Sequence, residues 1–422
     1  MTKRHEDVAA LRITLQGVEI GVLTHYTGGK NILTFSPDYI AIPEYLKPTI
    51  SLRQIITKSF VEKPIVSNQK IMPILSNLLP EGALREWMAK SLKTHPDNEF
   101  ALMAYAGKNL TGGIIAIPIS KGEIPPWALD SRQSTDPVQI NVTAPENKFS
   151  LAGIQMKFSS KREDGRFLIT DDTNGDSWII KTPSTQHKNV PENEFTAMTL
   201  AKIAGIEIPE IKLIKLSDLD NLPDIKLPDE EFAYAIKRFD RKAKADGFQR
   251  LHTEDFAQIL NLYPTQKYDK VNYEQMGLII KDFSQKGLFD VQQFAKRLLI
   301  NILLGNGDAH IKNWSMIYHD QQTPQLSPAY DILSTMVYIH NERDLALNMA
   351  KNKDWYAMSF EHFKSWAERI DVNWSAIKVH LDETMNIART RWLEELNHLP
   401  MIEQHKSQLK EHWAKLHPDF RI

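Results

Sequence analysis

Asp308, His310, Lys312 and Asn313 fall within the stretch NGDAHIKNWSMIY (306–318), directly after the apolar run RLLINILLG (297–305). An acid, an imidazole, an amine and a carboxamide between segments that read as buried need a chemical reason, because an unpaired polar group away from water costs roughly 2–7 kcal/mol. Phosphoryl transfer offers one. It needs a base for the acceptor hydroxyl, side-chain oxygens for Mg²⁺, a cation on the phosphates and a main-chain cradle over them. Mg²⁺ takes carboxylate and amide oxygens together with phosphate and water. Here Asp308 supplies a carboxylate, Asn313 an amide oxygen and Lys312 a cation. A second carboxylate, Asp331, follows Tyr330 in LSPAYDILS (326–334). The order Asp308, Asn313, Asp331 is that of base, amide ligand and acidic ligand in a protein-kinase catalytic loop and metal loop, without the HRD and DFG letters. The same letters also read as a helix ending at Gly305 with a polar turn capped by Asp308. The segment by itself leaves both readings open.

Three further features bear on the same chemistry. In SWIIKTP, Lys181 follows an apolar run, as a phosphate-binding lysine on an inward strand face would. It would otherwise be a strand-end lysine reaching water. In PENEFTAMTLAKIAG (191–205), Glu194 shares a helix face with Met198 and Ala201, so it is placed either to pair with Lys181 or to serve the helix dipole. SLAGIQMK (150–157) has one glycine, Gly153, with Gln155 and Lys157 close by. That is a bulge signal or a close backbone approach to phosphate. There is no GxxxxGK[ST] and no GxGxxG in the chain.

These residues need elements to hold them. ALRITLQGVEIGVLTHY (10–26) alternates around Gln16-Gly17 and predicts a β-hairpin. SNLLPEGALREWMAK (76–90) predicts a helix after Pro80, and an apolar strand follows the Gly pair at 112–113. Residues 120–148 are polar, Pro-rich and aperiodic, and read as a linker. From Phe149 to about Arg241 strands dominate, interrupted by the Glu194 helix. It opens with Pro191, carries Glu192 and Glu194 in its first turn and stops at Gly205. After Leu251 almost everything reads helical. The expected fold is therefore α+β: an N-terminal α+β subdomain (1–120), a linker (121–148), a β-rich lobe (149–250) and an all-helical lobe (251–422).

Composition narrows the function classes. The chain has 422 residues and a formal net charge of −2, against the strong basicity usual for a nucleic-acid binder. Any DNA contact is expected to be local or made through a partner. The absence of cysteine excludes thiolate nucleophiles, disulfides and Cys-ligated metals. No signal-like or membrane-length apolar run occurs, so a cytoplasmic location is expected. With no dense ligand set, His5, His25 and His252 read as surface residues.

Taken together, NLLPEGALRE, SLAGIQMK, WIIKTP, PENEFTAMTLAKIAG, AIKRFDR, NGDAHIKNWS and LSPAYDILS, in this order, resemble the HipA family of serine/threonine kinases, toxins of bacterial toxin–antitoxin systems. The resemblance implies a bilobal protein-kinase-like fold using ATP and Mg²⁺. It makes Asp308 the catalytic base and Asn313 and Asp331 the metal ligands. It places Ala152, Gly153, Ile154, Gln155, Met156 and Lys157 in a phosphate loop, with Lys181, His310 and Lys312 near the phosphates. Lys237, Arg238, Phe239 and Tyr330 would line the nucleotide, and Ser150 would be autophosphorylated. Gly307, Ala309 and Met156 depart from commoner family residues without removing a functional group that any role needs. The implied partners are a protein substrate such as an aminoacyl-tRNA synthetase and a HipB-like helix-turn-helix antitoxin, with DNA reached through the antitoxin and no membrane. The alternative is a non-catalytic partner that helps such an antitoxin repress its operon.

Overall fold

The structure is a computed structural model that describes residues 5–129, 136–143, 157–163, 166–169, 177–222, 227–244, 247–268 and 270–422. Its first unit is a five-stranded antiparallel sheet. The order across it is Ile65–Asn68, Lys30–Phe35, Val18–Tyr26, Ala10–Leu15 and Ile114–Ile119. The expected hairpin turns at Gln16 and Gly17, whose φ values of 50° and 90° are both positive, as a two-residue turn matched to strand twist requires. Leu11, Ile13, Leu15, Leu23 and Leu33 point into a core shared with Phe100 and Met103 of the helix Glu99–Ala106.

The stretch read as a linker is partly docked. Ile124 and Ala128 bury against Ala9, Ala10 and Val22 on the other sheet face, and the strand Ile140–Thr143 pairs antiparallel with His5–Val8. Small residues on that face leave apolar surface that needs a cover, and the Pro-flanked apolar residues of the stretch supply it.

A second sheet has six strands in the order Ile211–Lys215, Phe232–Lys237, Trp178–Lys181, Lys157–Glu163, Arg166–Ile169 and Leu219–Asp220. The register sets Lys181 opposite both Tyr234 and Lys157. The helix Val190–Ile203 lies against this sheet, with Ala197, Met198 and Ala201 in one cluster with Tyr234 and Ile236.

That cluster continues into the C-terminal helices Gly287–Leu304, Phe360–Arg369, Trp374–His398 and Glu403–Lys415. Leu298 to Leu304 are buried on every side, among Trp366, Trp392 and Trp413. Truncating one such leucine to alanine costs about 2–5 kcal/mol. One continuous core therefore fixes the Glu194 helix relative to the loop that follows Leu304.

The region after Leu251 is not all helical. A three-stranded sheet joins His252–Asp255, Ser315–Tyr318 and Pro324–Leu326, and Asp344–Met349 pairs with Asn352–Asp354. These strands are three to six residues long. SMIY is buried at all four positions, so it shows no alternation to separate it from a short helical segment. His252 is also not a surface residue. It is 1 % exposed, its Nε2 lies 2.8 Å from the Ile50 carbonyl oxygen, and its ring stacks on Tyr318.

Candidate active site

The helix Gly287–Leu304 stops where Gly305 turns left-handed at φ 59°. A Cβ there would stand 2.6 Å from Met336 Sδ, so both the turn and the packing require glycine. The chain then enters the loop 306–313, whose polar groups are tied down one by one. Asn306 accepts from the Asp308 N–H at 3.1 Å and donates to Asn301 Oδ1 at 2.8 Å. Tyr273 OH and Trp314 Nε1 both donate to the Ala309 carbonyl, at 2.9 and 3.1 Å. Asn313 Nδ2 donates to the Asp308 carbonyl at 2.8 Å, which fixes the amide orientation and leaves Oδ1 without a hydrogen bond among the described residues. The Asp308 carboxylate is half exposed and accepts from Tyr268 OH at 2.5 Å. His310 is buried beside it, with Nε2 3.9 Å from Asp308 Oδ1, and burial lowers its pKa.

Across the cleft, Lys181 bonds Glu194 and Asp331, and Lys157 Nζ lies 3.4 Å from Asp331 Oδ2. Lys181 is 5 % exposed and Glu194 1 %. Burial opposes the Lys181 charge, but the Asp331 and Glu194 carboxylates hold its pKa above the ordinary lysine range. Burial likewise opposes ionisation of Asp331, and the Lys157 and Lys181 ammoniums override it, holding the carboxyl below the usual range. For Glu194 burial wins and raises the pKa even with Lys181 beside it. Asp331 sits at φ 54°, a left-handed conformation that costs a non-glycine residue roughly 1 kcal/mol or more. Its surroundings hold it there: Asn193, on the Glu194 helix, exchanges two hydrogen bonds with the Ser334 backbone, at 2.9 and 3.0 Å. Asn301, Asn306, Asn313, Tyr330 and Asp331 line one cleft.

The other expected residues among those described have partners of their own. Lys312 reaches the first unit. Its Nζ donates to the Asn77 carbonyl and Oδ1, both at 3.0 Å, and pairs with Glu81 and Asp255 at 3.2 Å each. Arg238 is spent on Asp240, which also receives the Gly112 N–H at 2.7 Å. Lys237 lies 3.4 Å from Glu210, on the surface. Phe239 stacks on Tyr330 with ring centroids 5.6 Å apart, and the Tyr330 hydroxyl reaches Ser315 and the Lys312 carbonyl. Ser150, Ala152, Gly153, Ile154, Gln155 and Met156 lie outside the described residues. Sequence reasoning missed Asn77, Glu81, Asn193, Asp255 and Tyr268. Glu81 and Asn77 did stand inside a quoted motif, but nothing in their spacing pointed at a loop more than 200 residues away.

Asp331 and Asn313 are oxygen donors of the kind Mg²⁺ takes, and they share the cleft. Among the described residues no three carboxylates or histidines converge, so an Mg²⁺ held there would complete its shell from phosphate and water.

Comparison with known proteins adds independent evidence. Residues 11–117 match the family model described as the HipA N-terminal domain, and residues 149–392 match the HipA-like C-terminal domain. The protein named "Putative kinase Y4dM" of Sinorhizobium fredii is 36% identical over 414 residues, covering 96% of each chain. The serine/threonine-protein kinase toxin HipA of Shewanella oneidensis is 27% identical over 67% of this chain and 66% of its own. A Shewanella oneidensis HipA structure, solved with HipB and operator DNA, superposes with a TM-score of 0.72 at 19% identity and covers 96% of this chain and 95% of that one.

Proposed function

This chain belongs to the HipA family, and from that premise we propose that it is an ATP- and Mg²⁺-dependent serine/threonine protein kinase, the toxin of a toxin–antitoxin pair. The observation that carries the reading is the Lys181 constellation. A buried lysine joins a helix carboxylate, Glu194, to the acidic residue Asp331, and Asn313, on the loop that also carries Asp308, lines one cleft with Asp331. Charges taken out of water in this way are a poor stability device, since a well-packed apolar replacement is often no less stable. They make sense as a site in which charge is fixed in advance of reaction.

The lobes follow from the same reading. The six-stranded sheet with the Glu194 helix is the smaller lobe, and the helix-rich remainder from about residue 251 the larger. Residues 1–120 form an N-terminal subdomain, joined through 121–148. Asp308 orients the acceptor hydroxyl and takes its proton. Lys181 neutralises phosphate charge, released by nucleotide from part of its present pairing with Asp331. Asp331 and Asn313 would hold Mg²⁺, which when bound screens the phosphates and fixes their geometry. Phe239 and Tyr330 offer a flat apolar surface for the base.

Under this reading the protein acts in the cytoplasm on a component of translation, such as an aminoacyl-tRNA synthetase. A HipB-like antitoxin restrains it and carries any DNA contact. Among the described residues no helix is long and apolar enough to cross a membrane. Phosphate placed on Ser150 by the enzyme itself would switch it off. The test is transfer of labelled phosphate from Mg-ATP to protein by the purified chain, with Asp308→Asn as control. Phosphoproteomics after induced expression identifies the target. Absence of transfer by the wild type would leave the co-repressor role instead.

A further inference from the structure

Tyr268 was assigned no part in the reaction, yet its hydroxyl donates to Asp308 Oδ1 at 2.5 Å. The tyrosine is held from two sides. The Tyr268 ring meets the His310 ring edge-on, with centroids 5.1 Å apart. Lys267 Nζ stands 5.5 Å from the ring centroid. Lys267 in turn pairs with Glu81 at 3.2 Å, and the same Glu81 carboxylate holds Lys312 at 3.2 Å. Glu81 belongs to the N-terminal unit, so one carboxylate steadies both the tyrosine segment and the catalytic loop. Burial, and then the Asp308 carboxylate itself, raise the Tyr268 pKa, so the phenol stays a donor near neutral pH.

A carboxylate has two oxygens, and a base that must meet one acceptor proton works best when its rotation is fixed. Among the described residues Asp308 Oδ2 accepts no hydrogen bond, and the side chain is 46% exposed. Resting on the kinase reading above, we propose that Tyr268 is a positioning residue. Its hydroxyl fixes Asp308 Oδ1 and thereby presents Oδ2 to the acceptor hydroxyl, with Lys267 and Glu81 bracing it. The competing arrangement, in which the phenol occupies the acceptor's own place and blocks the base, makes the opposite kinetic prediction.

The decisive variant is Tyr268→Phe, which removes one oxygen and keeps the ring on His310. Transfer of radioactive phosphate from Mg-ATP to dephosphorylated casein, and to the protein itself, is followed at saturating ATP. The expected result is a fall in kcat of roughly 10- to 100-fold, the scale of a misplaced reacting group. KM for casein and the affinity for ATP should stay within about twofold, because the hydroxyl touches neither. Lys267→Met should lower kcat in the wild type and have no further effect in the Tyr268→Phe background, since both act through one contact. An unchanged kcat in Tyr268→Phe, a raised kcat or a lowered KM for casein would overturn the proposal. So would an equal loss from Lys267→Met in both backgrounds. Asp308→Asn run in parallel separates the two levels. If it transfers phosphate normally, the assignment of the base has failed, whereas an inactive Asp308→Asn beside a fully active Tyr268→Phe defeats the positioning role alone.

Discussion

Lys312 Nζ lies 3.0 Å from both the carbonyl oxygen and the side-chain oxygen of Asn77, a residue 235 positions earlier in the chain. The lysine of the loop 306–313 is thus bound by the N-terminal unit. The same junction carries the Gly112 N–H on Asp240, and Ser51 and Leu52 on Glu254. The Asp240 and Glu254 contacts are buried and those of Lys312 part-buried, and each is worth about 0.5–3 kcal/mol. A chain starting near Phe149 strands Lys312, Asp240 and Glu254 without those partners. It should be poorly soluble or melt well below the intact protein by scanning calorimetry. A well-behaved, fully active fragment would show instead that the N-terminal unit is an independent module.

Asp308→Asn should keep the fold and ATP affinity and lose phosphate transfer by at least ~10²–10⁴-fold, since an amide cannot take the acceptor proton. Labelling at the wild-type rate would remove Asp308 from the role of base.

Asp331→Ala should raise the Mg²⁺ concentration needed for activity and weaken nucleotide binding measured with Mg²⁺. Binding without metal should change far less. It also removes a partner of the buried Lys181 ammonium, so a modest loss of stability, on the order of 1–3 kcal/mol, is expected. Equal loss of nucleotide affinity with and without Mg²⁺ would point to the fold rather than to the metal.

Glu254 gives the junction a pH dependence. Burial raises its carboxyl from the ordinary 4.5 to about 7, against the lowering effect of the hydrogen bonds from Tyr318, Leu52 and Ser51. The folded state therefore binds a proton that the unfolded chain has already lost. Its contribution to stability is fully present below about pH 4.5 and disappears as pH rises through about 7. His252, lowered by burial from 6.5 to about 4, acts in the opposite sense: its contribution is present above 6.5 and lost as pH falls through about 4. Glu254→Gln should thus gain melting temperature relative to wild type on going from pH 5.5 to pH 8, with a relative effect on the order of 1–3 kcal/mol. A difference between the two proteins that does not vary with pH would mean that Glu254 does not titrate in this range.

Ser150 tests the self-inactivation reading. A phosphate adds roughly −1.5 to −2 charge at neutral pH, which the phosphates of ATP would repel if the neighbouring loop covers them. Mass spectrometry after incubation with Mg-ATP should find the group on Ser150 in the wild type and not in Asp308→Asn. Ser150→Asp should bind ATP more weakly than Ser150→Ala. An unmodified Ser150 in an active preparation, or equal binding by the two variants, removes the switch.

Local pattern determined a good deal. The Gln16-Gly17 hairpin, the Glu194 helix and the end of the long helix at Gly305 were all legible, because turn chemistry, capping and period act over a few residues. The sequence also offered Asp308, Asn313 and Asp331 as a set; Asn313 and Asp331 line one cleft, and Asp308 stands on the Asn313 loop with its side chain half exposed. The strands after Leu251 were hidden, since they are only three to six residues long and one of them, SMIY, is buried at every position and carries no alternation. The partners of each charge were decided by tertiary structure. The resemblance implies that Lys312 lies near the phosphates, and its partners in the fold are Asn77, Glu81 and Asp255. The fold likewise brings Tyr268 to Asp308 and Asn193 to Ser334. Hydrogen bonds and ion pairs act over about 3 Å, and only chain folding brings groups so far apart in sequence to that distance.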